Sequence, residues 1–220
     1  MPFRAVIFDL DGTLLDTIED LTEAMNAALR TLGLPERTIA ECKTFVGDGV
    51  ATFVKRVLPL RAGDDPSLAR RLLGLMRAEY AVRLAVKTRP YPGIPEILEA
   101  LGERRIPAAV LSNKPHDSTR AVVRRFFPRR NFRLVLGARE GVPPKPDPAG
   151  AFEIARRLGL PPADFFYLGD TNTDMQTAVA AGMFPAGALW GFRTSGELLA
   201  NGARALLERP AQVLDFFPAT

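Results

Sequence analysis

Cysteine is nearly absent from this 220-residue chain: Cys42 is the only one. That excludes an intramolecular disulfide framework and any cysteine-based metal cluster. Histidine also occurs once, at His116; it follows Asn-Lys-Pro near an expected helix start and reads as a solvated loop residue rather than a catalyst. No apolar run approaches the roughly 20 residues of a membrane-spanning helix, so no membrane partner is expected. The opening MPFRAVIFDLDG has neither the long apolar stretch nor the small-residue cleavage site of a secretory leader, and a cytoplasmic protein is expected. Internal repeats and low-complexity tails are missing too. Lysine is scarce: 5 of the 29 basic residues, the remaining 24 being arginine. The net charge of +4 raises nucleic-acid binding as a reading, but a nucleic-acid footprint concentrates basic residues on one face. Here the densest cluster is RRFFPRR (Arg124 to Arg130), and elsewhere the arginines mix with acids. No nucleic-acid partner is expected.

What is present describes an ordinary globular chain. Apolar residues make up 47% and charged residues 25%, and a chain this long buries about 70% of its unfolded surface without staples. AVIFDL (Ala5 to Leu10) reads as a buried strand rich in β-formers. From Asp16 to Leu32, residues Ile18, Leu21, Met25, Ala28, Leu29 and Leu32 recur at helical spacing. Gly33 and Pro35 stop that helix. Helical pieces continue to Lys87, broken at VGDG and LPLRAGDDP, with no convincing strand. From Gly93 strands and helices alternate. The strands are expected at IPAAVLSN, FRLVLGA, DFFYLGD, FPAGALW and, weakly, ARALLE. Alternation of apolar strands with helices predicts an α/β fold, a doubly wound, Rossmann-like parallel sheet covered on both faces. The helical block reads as a small all-helical cap at residues 16–87, inserted into a core of residues 1–15 and 88–220.

In such a sheet, ligands bind beyond the carboxyl ends of the strands. Asp9-Leu10-Asp11-Gly12-Thr13 lies at the first of these ends. Ser112-Asn113-Lys114 lies at another, and Gly169-Asp170-Thr171-Asn172-Thr173-Asp174 at a third. A loop carries Lys145 in PPKPDP, held stiffly between prolines. Asp9 and Asp11, two apart on extended backbone, face one side. Like charges so close repel, and a cation relieves that repulsion. Asp170 adds a hard oxygen donor. Magnesium, which takes one or two carboxylates plus waters and phosphate oxygens, suits this acid count. A carboxylate can attack phosphorus, a second carboxyl can protonate the leaving oxygen and then activate water, and lysine and serine can hold phosphoryl oxygens. Gly12 permits a tight turn and close backbone approach to a phosphate.

These segments resemble the four ordered motifs of the haloacid dehalogenase superfamily of phosphohydrolases: DLDGTLLD, LSN, PPKPDP and GDTNTD. The resemblance spans the whole core. It implies Asp9 as nucleophile and Asp11 as acid and base. Ser112 and Lys145 would bind phosphate, with Gly12, Thr13 and Asn113 beside them. Asp9, the Asp11 carbonyl and Asp170 would ligate Mg2+, supported by Asp174. The superfamily's dehalogenases lack the second acid of the first motif, so Asp11 points to phosphate chemistry. Within the superfamily, FVGDGVATFVKR, LSNKP, YPGI and GDTNTDMQTAVAAGM are most similar to phosphoglycolate phosphatases. The implied partner is a small phosphorylated metabolite, and the implied assembly a monomer or homodimer. Related sugar phosphatases and pyrophosphatases share most of these motifs. In the cap, Gly47 and Gly49 could bring backbone to a small substrate. Arg56 is the expected contact for a substrate carboxylate, and Cys42 is expected to pack inside. Asp16 and Asp20 read as first-turn helix acids. A phospho-acceptor signalling receiver, which also pairs aspartate, magnesium and lysine, is disfavoured by the length and the helical insert.

Overall fold

The computed structural model describes residues 3–59, 65–128 and 132–217. Part of the LPLRAGDDP break and the Arg129-Arg130 end of the basic cluster lie outside the described residues. In chain order the strands are β1 (Ala5–Phe8), β2 (Leu15–Asp16), β3 (Arg89–Pro90), β4 (Ala108–Pro115), β5 (Phe132–Ala138), β6 (Phe165–Gly169), β7 (Phe184–Ala188) and β8 (Ala205–Leu207). The α-helices are α1 (Ile18–Thr31), α2 (Ile39–Phe45), α3 (Val50–Val57), α4 (Pro66–Arg83), α5 (Ile94–Glu103), α6 (His116–Phe126), α7 (Ala149–Leu158), α8 (Asn172–Ala180) and α9 (Ser195–Ala200).

Six strands form one sheet in the order β5-β4-β1-β6-β7-β8, every pairing parallel. Counted along the chain without the β2–β3 ribbon, that is the 3-2-1-4-5-6 order of a doubly wound fold. The alternation of side chains divides the core in two. Val6, Phe8, Val110, Phe166 and Leu168 join a cluster under α5, α6 and the C-terminal 3-10 turn. Ala5, Ile7, Ala109, Leu111, Phe165 and Tyr167 join the cluster under α7 and α8. Strands buried on both faces explain why these segments read as continuous apolar runs.

The helical block carries an apolar cluster of its own, including Met25, Leu29, Cys42, Phe53, Val57, Leu72, Met76 and Tyr80. Cys42 is buried within it. A two-residue antiparallel ribbon, Leu15 opposite Pro90 and Asp16 opposite Arg89, joins this block to the sheet. Strands so short carry no period to read, and they were not expected.

Asp20 lies in the first turn of α1, as expected, and also serves a second purpose. It is fully buried. Its carboxylate accepts from the Lys87 and Thr88 backbone N–H groups and from the Thr88 hydroxyl at 2.7–3.1 Å. It clasps the returning chain to the outgoing one. Asp16 is a correction: it lies in β2, outside the first turn of α1, and its carboxylate accepts the Ile18 N–H at 3.4 Å. His116 is a correction too. It opens α6, is half-buried, and accepts the Gly137 N–H on Nδ1 at 3.1 Å.

Candidate active site

The order of the strands reverses between β1 and β6, and there the sheet presents its carboxyl ends to a cavity under the helical block. Open α/β sheets bind ligands at such a switch point. Asp9 follows β1 and Asp170 follows β6, and both are buried. Lys145 arrives from the loop before α7, with Nζ 2.9 Å from Asp9 Oδ1 and 2.5 Å from Asp174 Oδ1. Ser112 and Asn113 come from the end of β4, both buried. The sequence-predicted Asp9, Asp170, Asp174, Lys145, Ser112 and Asn113 therefore converge.

Each of these side chains has a local reason for its position. Asp174 closes the capping box of α8: it accepts from the Thr171 N–H and hydroxyl on Oδ2, while Thr171 Oγ1 accepts the Asp174 N–H. That leaves Oδ1 for Lys145. Asn113 holds the lysine's backbone from both ends of its amide. Oδ1 accepts the Lys145 N–H at 2.9 Å, and Nδ2 donates to the Lys145 carbonyl at 3.0 Å. The same Nδ2 lies 3.2 Å from the Gly47 carbonyl of the helical block. Asn113 thus positions Lys145 rather than projecting freely into the cavity.

Thr13 departs from its expected place beside the phosphate. It is fully buried, and its hydroxyl donates to Asp170 Oδ1 at 2.8 Å. Asp170 Oδ2 accepts the Phe192 N–H at 2.9 Å. Gly12 has φ +90°, and a Cβ there would collide with the Asp170 carboxylate. The close approach made by Gly12 is to that carboxylate. Gly47 (φ +130°) and Gly49 (φ +85°) do bring backbone to the cavity. A Cβ on the first would press on Thr171 and one on the second on the Asn113 carbonyl.

Arg56 is not brought to the cavity. Its guanidinium pairs with Asp48 at 2.6 Å and donates to the Phe45 carbonyl at 3.0 Å. Asp48 in turn accepts from the Thr173 hydroxyl at 2.5 Å. Burial works against the Asp48 charge, but Thr173 and Arg56 together hold its carboxyl below the ordinary value. Arg56 braces the loop that meets the core.

Lys114 was given no role from the sequence beyond its place beside Pro115. In the structure Nζ donates to both carboxylate oxygens of Asp11, at 2.8 and 2.9 Å. It also lies 4.6 Å from the centroid of the Tyr80 ring on α4. Burial opposes its charge most, but Asp11 and Tyr80 together outweigh burial and raise the Lys114 pKa. The available signal was spacing: Lys114 stands two residues beyond Ser112, on the same side of an extended strand.

The electrostatics are those of crowded buried acids. Burial first, and Asp174 next, push the Asp9 carboxyl up to about 7 despite Lys145. Burial and Asp9 raise Asp170 well above the carboxylate range. Lys145 is raised well above its ordinary value because Asp174 and Asp9 overcome the burial cost. Asp9 Oδ1 has no hydrogen-bond partner among the described residues, because Lys145 approaches at ion-pair distance but outside hydrogen-bonding geometry. Lys145 pairs with two of three buried carboxylates, Asp9, Asp170 and Asp174, whose oxygens lie within 4.8 Å of one another. An all-oxygen donor set with excess negative charge fits a hard divalent cation.

The cavity has a volume of about 470 Å³. Asp9, Asp11, Ser112 and Lys114 line it on the sheet side, and Val50, Phe53, Met76, Arg77 and Tyr80 on the helical side. A doubly wound sheet with a buried carboxylate and lysine at its switch point, beside a half-open cavity, is the arrangement of a hydrolase. The chain belongs to the haloacid dehalogenase-like hydrolases, whose family model matches residues 6–188. A phosphoglycolate phosphatase of Pseudomonas syringae pv. tomato is 31% identical over 215 residues, covering 96% of this chain and 76% of that one. One of Nitrosospira multiformis is 36% identical over 184 residues, covering 83% and 81%. A crystal structure from Lactobacillus delbrueckii subsp. bulgaricus, provisionally named a phosphoglycolate phosphatase, superposes with a TM-score of 0.91 at 32% identity, covering 97% of each chain. No helix among the described residues is long and apolar enough to cross a membrane.

Proposed function

We propose that this phosphatase hydrolyses phosphomonoesters through an aspartyl-phosphate on Asp9, depends on Mg2+, and acts on 2-phosphoglycolate. The observation that carries the chemistry is Asp9 itself: a buried carboxylate 2.9 Å from Lys145 and beside Asp170. Asp9 attacks phosphorus, forming the P–O bond as the ester oxygen leaves. Asp11 gives that oxygen a proton, then takes one from the water that hydrolyses the acyl phosphate. Lys145 and Ser112 hold the phosphoryl oxygens, and Asn113 and Asp174 keep Lys145 aimed. Asp9, Asp170 and the Asp11 carbonyl would hold the magnesium, with Asp174 behind them. When bound, the ion offsets charge on the carboxylates and on the transferring group. Residues 16–87 act as a cap that hinges at the β2–β3 ribbon and excludes water.

The relatives' names support 2-phosphoglycolate, and sugar phosphates or pyrophosphate are the neighbouring alternatives. The test is a panel of phosphometabolites ranked by kcat/KM. First rank for 2-phosphoglycolate is expected, and a rank well below sugar phosphates overturns that assignment. Asp9→Asn is expected to abolish turnover of an aryl phosphate as well; near-normal turnover would remove Asp9 from the mechanism.

A further inference from the structure

Charge on the cap side of the cavity is sparse. Leu21, Val46, Val50, Phe53 and Met76 make that wall apolar. Arg77 is the one basic residue from the cap in the lining. It lies on α4 one turn before Tyr80 and Ala81, which line the cavity with it. Residues three and four apart share a helix face, so this face of α4 is turned to the site.

Arg77 is also uncommitted. Among the described residues it makes no ion pair and no side-chain hydrogen bond, whereas the neighbouring acid Glu79 pairs with Arg83. Asp117, on the core rim of the same cavity, makes no ion pair with it. The other cations of the site are engaged: Lys114 with Asp11, Lys145 with Asp9 and Asp174. Arg56 is tied to Asp48 outside the lining. A guanidinium without a counterion, exposed beside an apolar wall, supplies two parallel N–H donors that match a carboxylate.

We propose that Arg77 determines specificity by binding a carboxylate on the leaving group of the substrate. The inference rests on the phosphomonoesterase reading and deepens its 2-phosphoglycolate assignment. Asp9 and this face of α4 line the same cavity, so a phosphoryl group held against Asp9 would leave its leaving group on the α4 side. An ester that carries a carboxylate is anchored at both ends. One that carries a methyl group in its place is anchored only through its phosphate.

The test compares 2-phosphoglycolate with ethyl phosphate, which has a methyl where the other has a carboxylate. A charged hydrogen-bonded contact is worth about 10- to 100-fold in kcat/KM. Arg77→Ala is expected to lower kcat/KM for 2-phosphoglycolate by about that factor, chiefly through KM, and to leave ethyl phosphate unchanged. Arg77→Lys, which keeps the charge but loses the fork, is expected to fall between. Ethyl phosphate turnover doubles as the check that the variant folds. A wild-type preference for 2-phosphoglycolate that survives Arg77→Ala overturns the role of Arg77 and leaves the substrate assignment standing. A wild-type enzyme without that preference overturns the substrate assignment, and the carboxylate contact with it.

Discussion

Lys114 Nζ donates to both oxygens of Asp11, at 2.8 and 2.9 Å, while its other side meets the Tyr80 ring of the cap. The acid/base candidate is therefore held by a lysine at the end of β4 that itself touches α4 of the helical block. Lys114 aims Asp11 without contacting the nucleophile. Lys114→Met is expected to slow turnover most where the leaving oxygen needs a proton. General acid catalysis contributes about 10²- to 10⁴-fold to such steps. Alkyl phosphates should lose at least tenfold more kcat than p-nitrophenyl phosphate, whose leaving group departs unaided. Equal losses on both would show that Lys114 only stabilises the site.

Asp9 ties stability to pH and to metal. Its folded pKa, about 7, exceeds the ordinary 3.8 because burial and Asp174 disfavour its charge. A raised carboxyl favours the folded state while protonated. In metal-free protein its contribution is therefore full below about pH 4, is lost as pH rises through 7, and is gone above that. About three pKa units correspond to a few kcal/mol. Mg2+ held by these carboxylates would compete with protons for them, so its stabilisation should be larger where they are ionised. The Tm gain on adding Mg2+ to chelator-treated protein is expected to be several degrees greater at pH 8 than at pH 5. A gain independent of pH would detach the cation from this cluster.

Gly12 and Thr13, expected beside the phosphate, both meet Asp170. Gly12→Ala combines a φ of +90° with a collision on the carboxylate. It should cost about 2–4 kcal/mol in urea unfolding and weaken Mg2+ binding by calorimetry. Thr13→Val keeps the volume but removes the 2.8 Å hydrogen bond. It should weaken Mg2+ binding by about tenfold with a smaller loss of stability. Unchanged metal affinity in both variants would contradict the positioning of Asp170 by this turn.

These two residues show where the sequence was legible and where it was not. The motif acids and Lys145 could be placed because strand ends in a parallel sheet converge on one edge. The apolar runs could be read because both faces of those strands are buried. Which neighbour a motif residue serves depends on side chains from distant segments. Thr13 meets Asp170 across 157 positions, Lys114 meets Asp11 across 103, and Asp20 meets Thr88 across 68. No local pattern encodes such pairs. The exchange of Arg56 for Arg77 has the same origin. Both are cap arginines in sequence, and only packing shows that Asp48 has taken the first.

The loop at residues 46–49 is fastened to the core by a residue that no motif announced. Arg193 follows β7, and its guanidinium donates to the carbonyls of Lys43, of Thr44 at 3.2 Å and of Val46 at 2.6 Å. These carbonyls belong to the last turn of α2 and the residue beyond it, groups a helix leaves unsatisfied and a cation satisfies well. Glu197 steadies the guanidinium at 3.2 Å. Thr173 and Asn113 add single contacts, to Asp48 and to the Gly47 carbonyl. Because the cap has its own apolar cluster, removing Arg193 should free the loop without unfolding the helices. Arg193→Met is expected to lower kcat/KM by about 10- to 100-fold and to speed amide exchange at residues 43–49. Exchange in β1 should stay at the wild-type rate, since local opening does not draw on global stability. If exchange in β1 rose in step with the loop, Arg193 would be a support of the whole fold and not a fastening of the cap.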